Sequence, residues 1–418
     1  MYLVAIHVPL YRIGGELLLA GEWLRALELL RDSFGGRFGH LQVVAPVVDC
    51  RSVDEIPGAP ANLPESESDI RFTPSIGLPV RARHYWLRER KKWASDIRRH
   101  LTQADVVHGG CEQIYRPMNI VCIAQAHKHR ITSVLVRDTD TVLQMRDAAQ
   151  GKGLIRETRA NLETHAFNYL MRWGVQRASL SLLKGRSLFD RYRSVARNPR
   201  LFHDTSYSRH NIVPAPEVQE KIDRLSGSPG PRFVYAGRLV PRKGVDHSVR
   251  IIAALRERNI EAHFDVIGDG PESASLRELA ETLGVGRHVH FHGFRPYDSR
   301  FLASLRSYHG LLFTPRYEDT PRMIFDAYAA GLPLIAYGIP YAAERIQEDR
   351  CGLKLPHLDP QGAADVIAEA WRHPTRWAEM IRQTRPAAEY HCAESWYERR
   401  AQWTIEAWER NQREWAAR

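Results

Sequence analysis

Arg238 and Lys243 sit in a loop bounded by glycines, Gly237-Arg238-Leu239-Val240-Pro241-Arg242-Lys243-Gly244. A glycine turn between a strand and a helix presents backbone N–H groups and the positive end of a helix dipole, which suits an anion. The two side chains add full positive charges, so the loop could cradle a diphosphate. Read alone, it could equally be a solvated basic loop. Further on, Glu318 and Asp326 stand eight residues apart in Tyr317-Glu318-Asp319-Thr320-Pro321-Arg322-Met323-Ile324-Phe325-Asp326. Thr320 before Pro321 reads as a helix start, with Thr as N-cap and Pro in the first turn. Gly331 reads as its stop. That puts Glu318 in the loop before the helix and Asp326 on its second turn. Two carboxylates so placed could serve two hydroxyl-rich parts of one ligand. Glu318 and Asp319 could also be plain acids favoured at a helix N-terminus. Between these pieces lie Gly268-Asp269-Gly270-Pro271 and His290-Phe291-His292-Gly293. Each follows an apolar strand pattern. Backbone near Gly293 could hydrogen-bond a nucleobase, and His292 reads as a structural histidine.

The elements that must position these residues alternate. Residues 2–8 read as a buried strand, then Gly14-Gly15 as a loop, then a helix from about 16 to 33 with apolar Leu18, Leu19, Trp23, Leu27 and Leu30. Strands follow at 41–47, 105–108 and 131–137, with a Pro-rich loop to about 78 and helices near 81–101 and 116–128. A second set of strands is expected at 232–237, 262–267, 288–292, 310–314 and 332–337. Alternating strand and helix units argue for parallel sheets covered on both faces. Residues 212–231 are dense in Pro, Gly and Ser and read as a linker. The domains expected are therefore 1–211, the linker 212–231, a second domain 232–390, and a Trp-rich helix over 391–418 that packs back on the first domain.

The order of these motifs resembles the retaining glycosyltransferases of the GT-B fold, and within them family 4 (group 1). The resemblance runs from about Arg232 to Leu355. It reaches the first half only through Gly14-Gly15 and the strand end at Asp105-Val106-Val107-His108. It implies an α/β protein of two Rossmann-like domains whose parallel sheets face each other across a cleft. It implies a nucleotide-sugar donor and a lipid-linked or polysaccharide acceptor. Arg238 and Lys243 match the pair that binds the donor diphosphate. Glu318 matches the acid that contacts the transferred sugar, and Asp326 the one that holds the ribose. His108 matches the region of a catalytic-site histidine. Gly14, Gly15, Gly293 and Thr320 complete the implied donor contacts. The implied chemistry needs no metal and no other cofactor. Three positions depart from the family pattern. Asp326 is one methylene shorter than the usual Glu. Thr320-Pro321 replaces glycine-rich residues, and proline lacks an N–H that could reach the donor. The asparagine-glycine turn that usually ends the first domain is absent around 203–211.

Composition sets the outer limits. The chain has 418 residues, 44% hydrophobic and 26% charged, which is globular composition. Fifty-nine basic against 49 acidic residues leave a formal charge of +10, which favours an anionic partner. No run approaches the roughly 18 apolar residues of a membrane span. Five scattered cysteines without a CxxC pair exclude a disulfide scaffold and a zinc ribbon. A cytoplasmic protein is expected, with peripheral contact at the inner membrane face as an option. Residues 81–101 carry eight basic side chains, and Trp86, Trp93 and Ile97 fall on one helical stripe. Such a helix could lie on an anionic membrane or bury its Trp face on the sheet. Asp138-Thr139-Asp140 spells a metal-binding triplet that is common by chance, and no metal site is assigned to it. No zinc finger, RNA-recognition or basic-leucine pattern supports a nucleic-acid partner. The alternatives to a transferase are an inactive glycan- or nucleotide-binding module of the same fold and a nucleotide-sugar epimerase.

Overall fold

The computed structural model describes residues 1–56, 59–65, 68–142, 145, 149 and 153–417. The chain forms two compact units, Met1–His203 with Trp396–Arg418, and Asp204–Ser395.

The first unit is built on a sheet of ten strands: β1 (Tyr2–Ala5), β2 (Leu10–Ile13), β3 (Glu16–Ala20), β4 (Leu41–Asp49), β5 (Pro60–Asn62), β6 (Ile70–Leu78), β7 (Val106–Gly110), β8 (Thr132–Arg137), β9 (Leu180–Lys184) and β10 (Pro199–Phe202). Its parallel body runs β6-β4-β1-β7-β8-β9-β10. Strand β1 is apolar throughout because both faces of a parallel sheet are covered. Successive side chains alternate between faces. Tyr2 and Val4 join one core with Val43, Val106 and Leu182, while Leu3 and Ala5 join another with Trp93, Ile97 and Val107. The helix Ala393–Ala416 covers the first of these faces with buried Trp396, Ala401 and Ala407. Its Asn411 donates to the hydroxyls of Thr132 (3.0 Å) and Ser179 (2.8 Å).

The second unit holds six parallel strands, β11 (Arg232–Ala236), β12 (His263–Ile267), β13 (Val289–Gly293), β14 (Gly310–Phe313), β15 (Leu334–Tyr337) and β16 (Gly352–Leu355). Their order is β13-β12-β11-β14-β15-β16. The chain winds one way from β11 and then restarts on its other side at β14. Open sheets of this kind bind ligands beyond the strand ends at such a reversal. The first unit reverses in the same way between β1 and β7.

Three expectations need correction. Residues 16–20 are strand, not helix: Gly14 (φ +57°) and Gly15 (φ +95°) form the two-residue turn of a hairpin pairing Ile13 with Glu16. Two glycines with positive φ are what such a tight turn requires. The helix starts only at Gly21. Residues 212–231 are not a linker. They contain the helix Ala215–Arg224, whose Val218 and Ile222, with Leu225 just after, are buried in the second unit's core. Lys221 donates to the carbonyls of Ala330 (3.2 Å) and Gly331 (3.1 Å), tying that helix to the end of another. Finally, the stretch to Leu78 is not all loop, since β6 pairs with β4 from Leu41 to Val48, with a register shift after Ala45.

Candidate functional site

Three strand ends are laced together at the C-terminal edge of the second sheet. The N–H of Gly237, after β11, donates to Ile267 O (2.9 Å), and that of Gly268, after β12, to Gly293 O (2.8 Å). Leu239 N–H donates to Asp269 O (2.9 Å). These backbones touch. A Cβ on Gly268, at φ +134°, would lie 2.0 Å from Gly237 O. The Gly-Asp-Gly-Pro motif is therefore first a close-packing device. It also builds one wall of a cavity of about 440 Å³, lined by Gly237, Arg238, Gly268 and Asp269 on that side. Phe294, Arg295, Tyr297 and Phe301, after β13, form a second wall, and Met323 and Asp326 a third.

Asp326 is the buried charge of this cavity, only 4% exposed. Its Oδ1 accepts a hydrogen bond from the Tyr297 hydroxyl at 2.7 Å. Burial raises its pKa to about 7; the Tyr297 bond and the nearby Arg322 pull the other way. The helix that carries it is Met323–Ala329, so Asp326 lies in the first turn, not the second, and Thr320 is not the N-cap. Both carboxylate oxygens of Glu318 face the N–H of Tyr341 (3.1 and 3.4 Å), in the first turn of the helix Pro340–Asp349. That position favours a negative charge. Asp319 pairs with the ammonium of Lys243 and accepts from Arg242 Nη1 at 3.0 Å. Gly331, at φ +73°, follows the helix end where the sequence put the stop.

Lys243 closes a short 3-10 turn, Pro241–Lys243, before Gly244. Gly244 (φ +61°) begins the helix Val245–Glu257, and a Cβ there would lie 2.0 Å from Thr314 O. The loop after β11 is thus pressed against the strand end of β14, at the reversal of the sheet. Burial lowers the pKa of Lys243, and Asp319 offsets this only in part. The structure therefore gathers Arg238 and Asp326 in one cavity. Gly293 does not line it but is tied to its wall, its carbonyl accepting from the N–H of Gly268. Lys243 and Glu318 are each engaged with a partner beside it, and Thr320 lies in the intervening loop. Sequence reasoning missed the counter-ion Asp319 and the cavity's aromatic side, Phe294 and Tyr297. A run of two acids three residues before a helix was the available signal for the first. His292 does not face this chemistry: its Nε2 lies 2.6 Å from Oδ1 of buried Asp265.

In the first unit the reading of His108 is corrected. Strand β7 continues to Gly110, so His108 lies within the sheet and not at its edge. Its Nδ1 is 3.2 Å from the Tyr2 hydroxyl. Burial, with Arg400 nearby, lowers its pKa to about 3, so the ring stays neutral. The groups that do reach the strand ends are His7 and Glu112, 3.8 Å apart, with Asn119 donating to Glu112 at 2.7 Å. They went unread because each follows its strand by only two residues. Gly14 and Gly15 stand at the tip of the β2–β3 hairpin. Asp140 is engaged by Ser187 (2.9 Å) and Arg191 (3.0 Å). Among the described residues no group of three or more His, Cys, Asp or Glu could hold a metal ion.

Comparison with known proteins adds the following. Residues 219–387 match the family model of the glycosyl transferases group 1. The chain is 27% identical over 163 residues to an alpha-D-kanosaminyltransferase of Streptomyces kanamyceticus, covering 38% of this chain and 42% of that protein. It is 32% identical over 150 residues to a GDP-mannose-dependent alpha-(1-6)-phosphatidylinositol monomannoside mannosyltransferase of Mycobacterium tuberculosis, covering 33% and 38%. The chain thus matches less than half the length of these curated relatives. The crystal structure of WaaG, a glycosyltransferase involved in lipopolysaccharide biosynthesis, aligns over 96% of this chain and 98% of its own, at a TM-score of 0.59 and 16% identity. The two Rossmann-like units are those of the GT-B fold.

Proposed function

We propose that the protein is a nucleotide-sugar-dependent glycosyltransferase that moves a sugar to a glycan or lipid-linked acceptor. The observation that carries this reading is the cavity of about 440 Å³ with a guanidinium, Arg238, and a buried carboxylate, Asp326, in its wall. A nucleoside diphosphate needs both: a cation for the phosphates and an acceptor for the ribose hydroxyls. As the bond from sugar to phosphate breaks, negative charge grows on the departing oxygen. A fixed cation and a helix N-terminus stabilise that charge without reorganising. Arg238 and the start of the helix Val245–Glu257 are the groups assigned to this. Lys243 is the second cation, available when Asp319 yields it to the diphosphate. Asp326 takes the ribose, whose hydroxyl would donate to the carboxylate as the Tyr297 hydroxyl does. Glu318, oriented by the Tyr341 N–H, is assigned to the transferred sugar. Protein cations, not a metal, carry the phosphate charge in this scheme. Retention at the anomeric carbon follows from the family resemblance alone. The names of the mannosyltransferase relative and of WaaG support the lipid-linked acceptor.

The test is release of nucleotide from UDP-, GDP- and ADP-sugars by the purified chain, with and without EDTA. One donor is expected to turn over, unaffected by EDTA and abolished in Lys243→Ala and Glu318→Ala. Near-normal turnover in both variants would overturn the site assignment. The closed Lys243–Asp319 pair favours one second reading, a module that binds nucleotide without turnover. Binding with no release from any donor would establish that instead.

A further inference from the structure

One wall of the second unit's cavity takes no part in holding a diphosphate or a transferred sugar: the loop after β13, with Phe294, Arg295 and Tyr297. Tyr297 joins this wall to the one that carries Asp326. Its hydroxyl donates to Asp326 Oδ1 at 2.7 Å. The carboxylate is withdrawn, with Asp326 only 4% exposed, whereas Tyr297 is 47% exposed. A ligand that enters the cavity therefore meets the phenol as readily as the acid behind it.

Local structure holds the phenol in place. Asp298 caps the helix Ser299–Leu305, its Oδ1 accepting from the N–H of Phe301 at 2.7 Å. Such a cap fixes where the chain enters the helix, and Tyr297 is the residue just before it. The Tyr297 ring leans on Phe301, with centroids 5.9 Å apart. Phe301, Leu302 and Leu305 are buried in the same core as Ile324 and Phe325, the two residues before Asp326. One packed core thus positions both partners of the hydrogen bond.

A phenol has one hydrogen to donate and lone pairs with which to accept. With its hydrogen on Asp326, the Tyr297 oxygen meets a ligand as an acceptor, and the carboxylate polarises it further. The wall therefore offers two acceptor oxygens side by side, one phenolic and one of a carboxylate, 2.7 Å apart. The matching ligand carries two hydroxyl donors about one hydrogen-bond length apart. A cis-diol on a five-membered ring is such a pair, and ribose presents one in its 2′ and 3′ hydroxyls. A guanidinium also carries paired donors, but Arg238 and Arg295 line the same cavity and oppose a cationic ligand.

We propose that Tyr297 reads the ribose together with Asp326: one hydroxyl of the cis-diol donates to the carboxylate, and its neighbour donates to the Tyr297 oxygen. The assignment rests on the nucleotide reading of this cavity and adds to it a preference for ribonucleotides over deoxyribonucleotides. The preference is moderate. A site whose buried polar groups are stranded by the wrong ligand rejects it by about 10⁴-fold or more. Here the Tyr297–Asp326 bond persists when a ligand hydroxyl is missing, and Tyr297 is open to water, so roughly tenfold per hydroxyl is expected.

The test is calorimetry of UDP, GDP and ADP, each beside its 2′-deoxy and 3′-deoxy analogue, on wild type, Tyr297→Phe and Asp326→Asn. Phenylalanine keeps the ring on Phe301 and removes only the hydroxyl. Wild type should bind one parent diphosphate and lose about tenfold in affinity with either analogue. Tyr297→Phe should bind that parent about tenfold more weakly, yet bind one analogue as tightly as wild type does, the sign of a direct contact in a double-mutant cycle. Asp326→Asn should behave in the same way toward the other analogue. Tyr297→Phe binding the parent as tightly as wild type would overturn the proposal and leave the nucleotide reading intact. Tighter binding would do the same, because it would make the phenol a competitor that ribose must displace. Both variants indifferent to the same analogue would reduce Tyr297 to a support for Asp326, and would also overturn the proposal. Binding of no diphosphate at all would overturn the nucleotide reading and this assignment together.

Discussion

Asp326→Asn should stabilise the protein at neutral and alkaline pH while weakening its hold on nucleotide. Burial raises the Asp326 carboxyl from an ordinary value of 3.8 to about 7, so keeping it charged in the folded state costs about 4 kcal/mol, at about 1.4 kcal/mol per pH step. The sign follows from proton binding. Between pH 3.8 and 7 the folded chain holds a proton that the unfolded chain has lost. Stability from this group therefore falls as pH rises through that window and levels off above it. Asparagine resembles the protonated acid and still accepts from the Tyr297 hydroxyl. Wild type and variant should match near pH 4, and the variant should gain on the order of 4 kcal/mol by pH 8. Urea denaturation of both proteins from pH 4 to 9 reads this directly. A difference that stays flat across the range, or a variant less stable at pH 8, would refute the burial argument. Ligand binding supplies the second half. If ribose hydroxyls bind the carboxylate, nucleotide affinity of the wild type should rise with pH up to about 7, and the variant should show no such rise. A charge retained at this cost in stability is what a binding site, and not a core, would keep.

Asp319→Asn should break the buried pair with Lys243 and lower stability by about 3 kcal/mol, since a buried charge loses its partner. The same variant should bind nucleoside diphosphate more tightly in calorimetry, because the ammonium no longer has to be released; weaker binding would count against the exchange. Ile222→Ala should destabilise the second unit by about 2 kcal/mol, the loss for a core side chain, as read from its melting. No change in melting would restore the reading of residues 212–231 as a linker.

Much of the second unit is legible in the sequence because its strands are short apolar runs that each end in a glycine motif. Gly237, Gly268 and Gly293 mark the sheet edge, and their spacing locates the cavity. What the sequence conceals is pairwise. Asp319 looks like any acid near a helix start until Lys243 and Arg242 are found on it. Glu318 likewise looks like an acid of the helix that follows it until its carboxylate is found on the N–H of Tyr341, in another helix. The error at residues 16–20 is of another kind. Leu18, Leu19, Trp23, Leu27 and Leu30 fit a helical period across a strand–helix junction, and periodicity cannot see the junction. At residues 212–231 the Pro and Gly punctuation outweighed the spacing of Val218, Ile222 and Leu225, which was the real signal. Trp86 shows the limit most plainly. The π-turn at Tyr85–Glu89 rotates it about 100° away from the buried stripe of Trp93 and Ile97, and nothing in its residue type announces that. His108 failed for want of two residues, since the extra Gly109 and Gly110 of β7 carry the strand end beyond it.

The most direct test of the account is a thermal-shift and calorimetry panel of UDP, GDP and ADP against the wild type and Arg238→Ala. A ligand that binds only the folded state stabilises it by about 2.7 kcal/mol at a hundredfold excess over Kd. The account predicts that one nucleotide stands out, and that Arg238→Ala loses its effect while keeping the unliganded melting temperature. A flat panel, or a nucleotide that shifts wild type and variant equally, would contradict the placement of the diphosphate in this cavity.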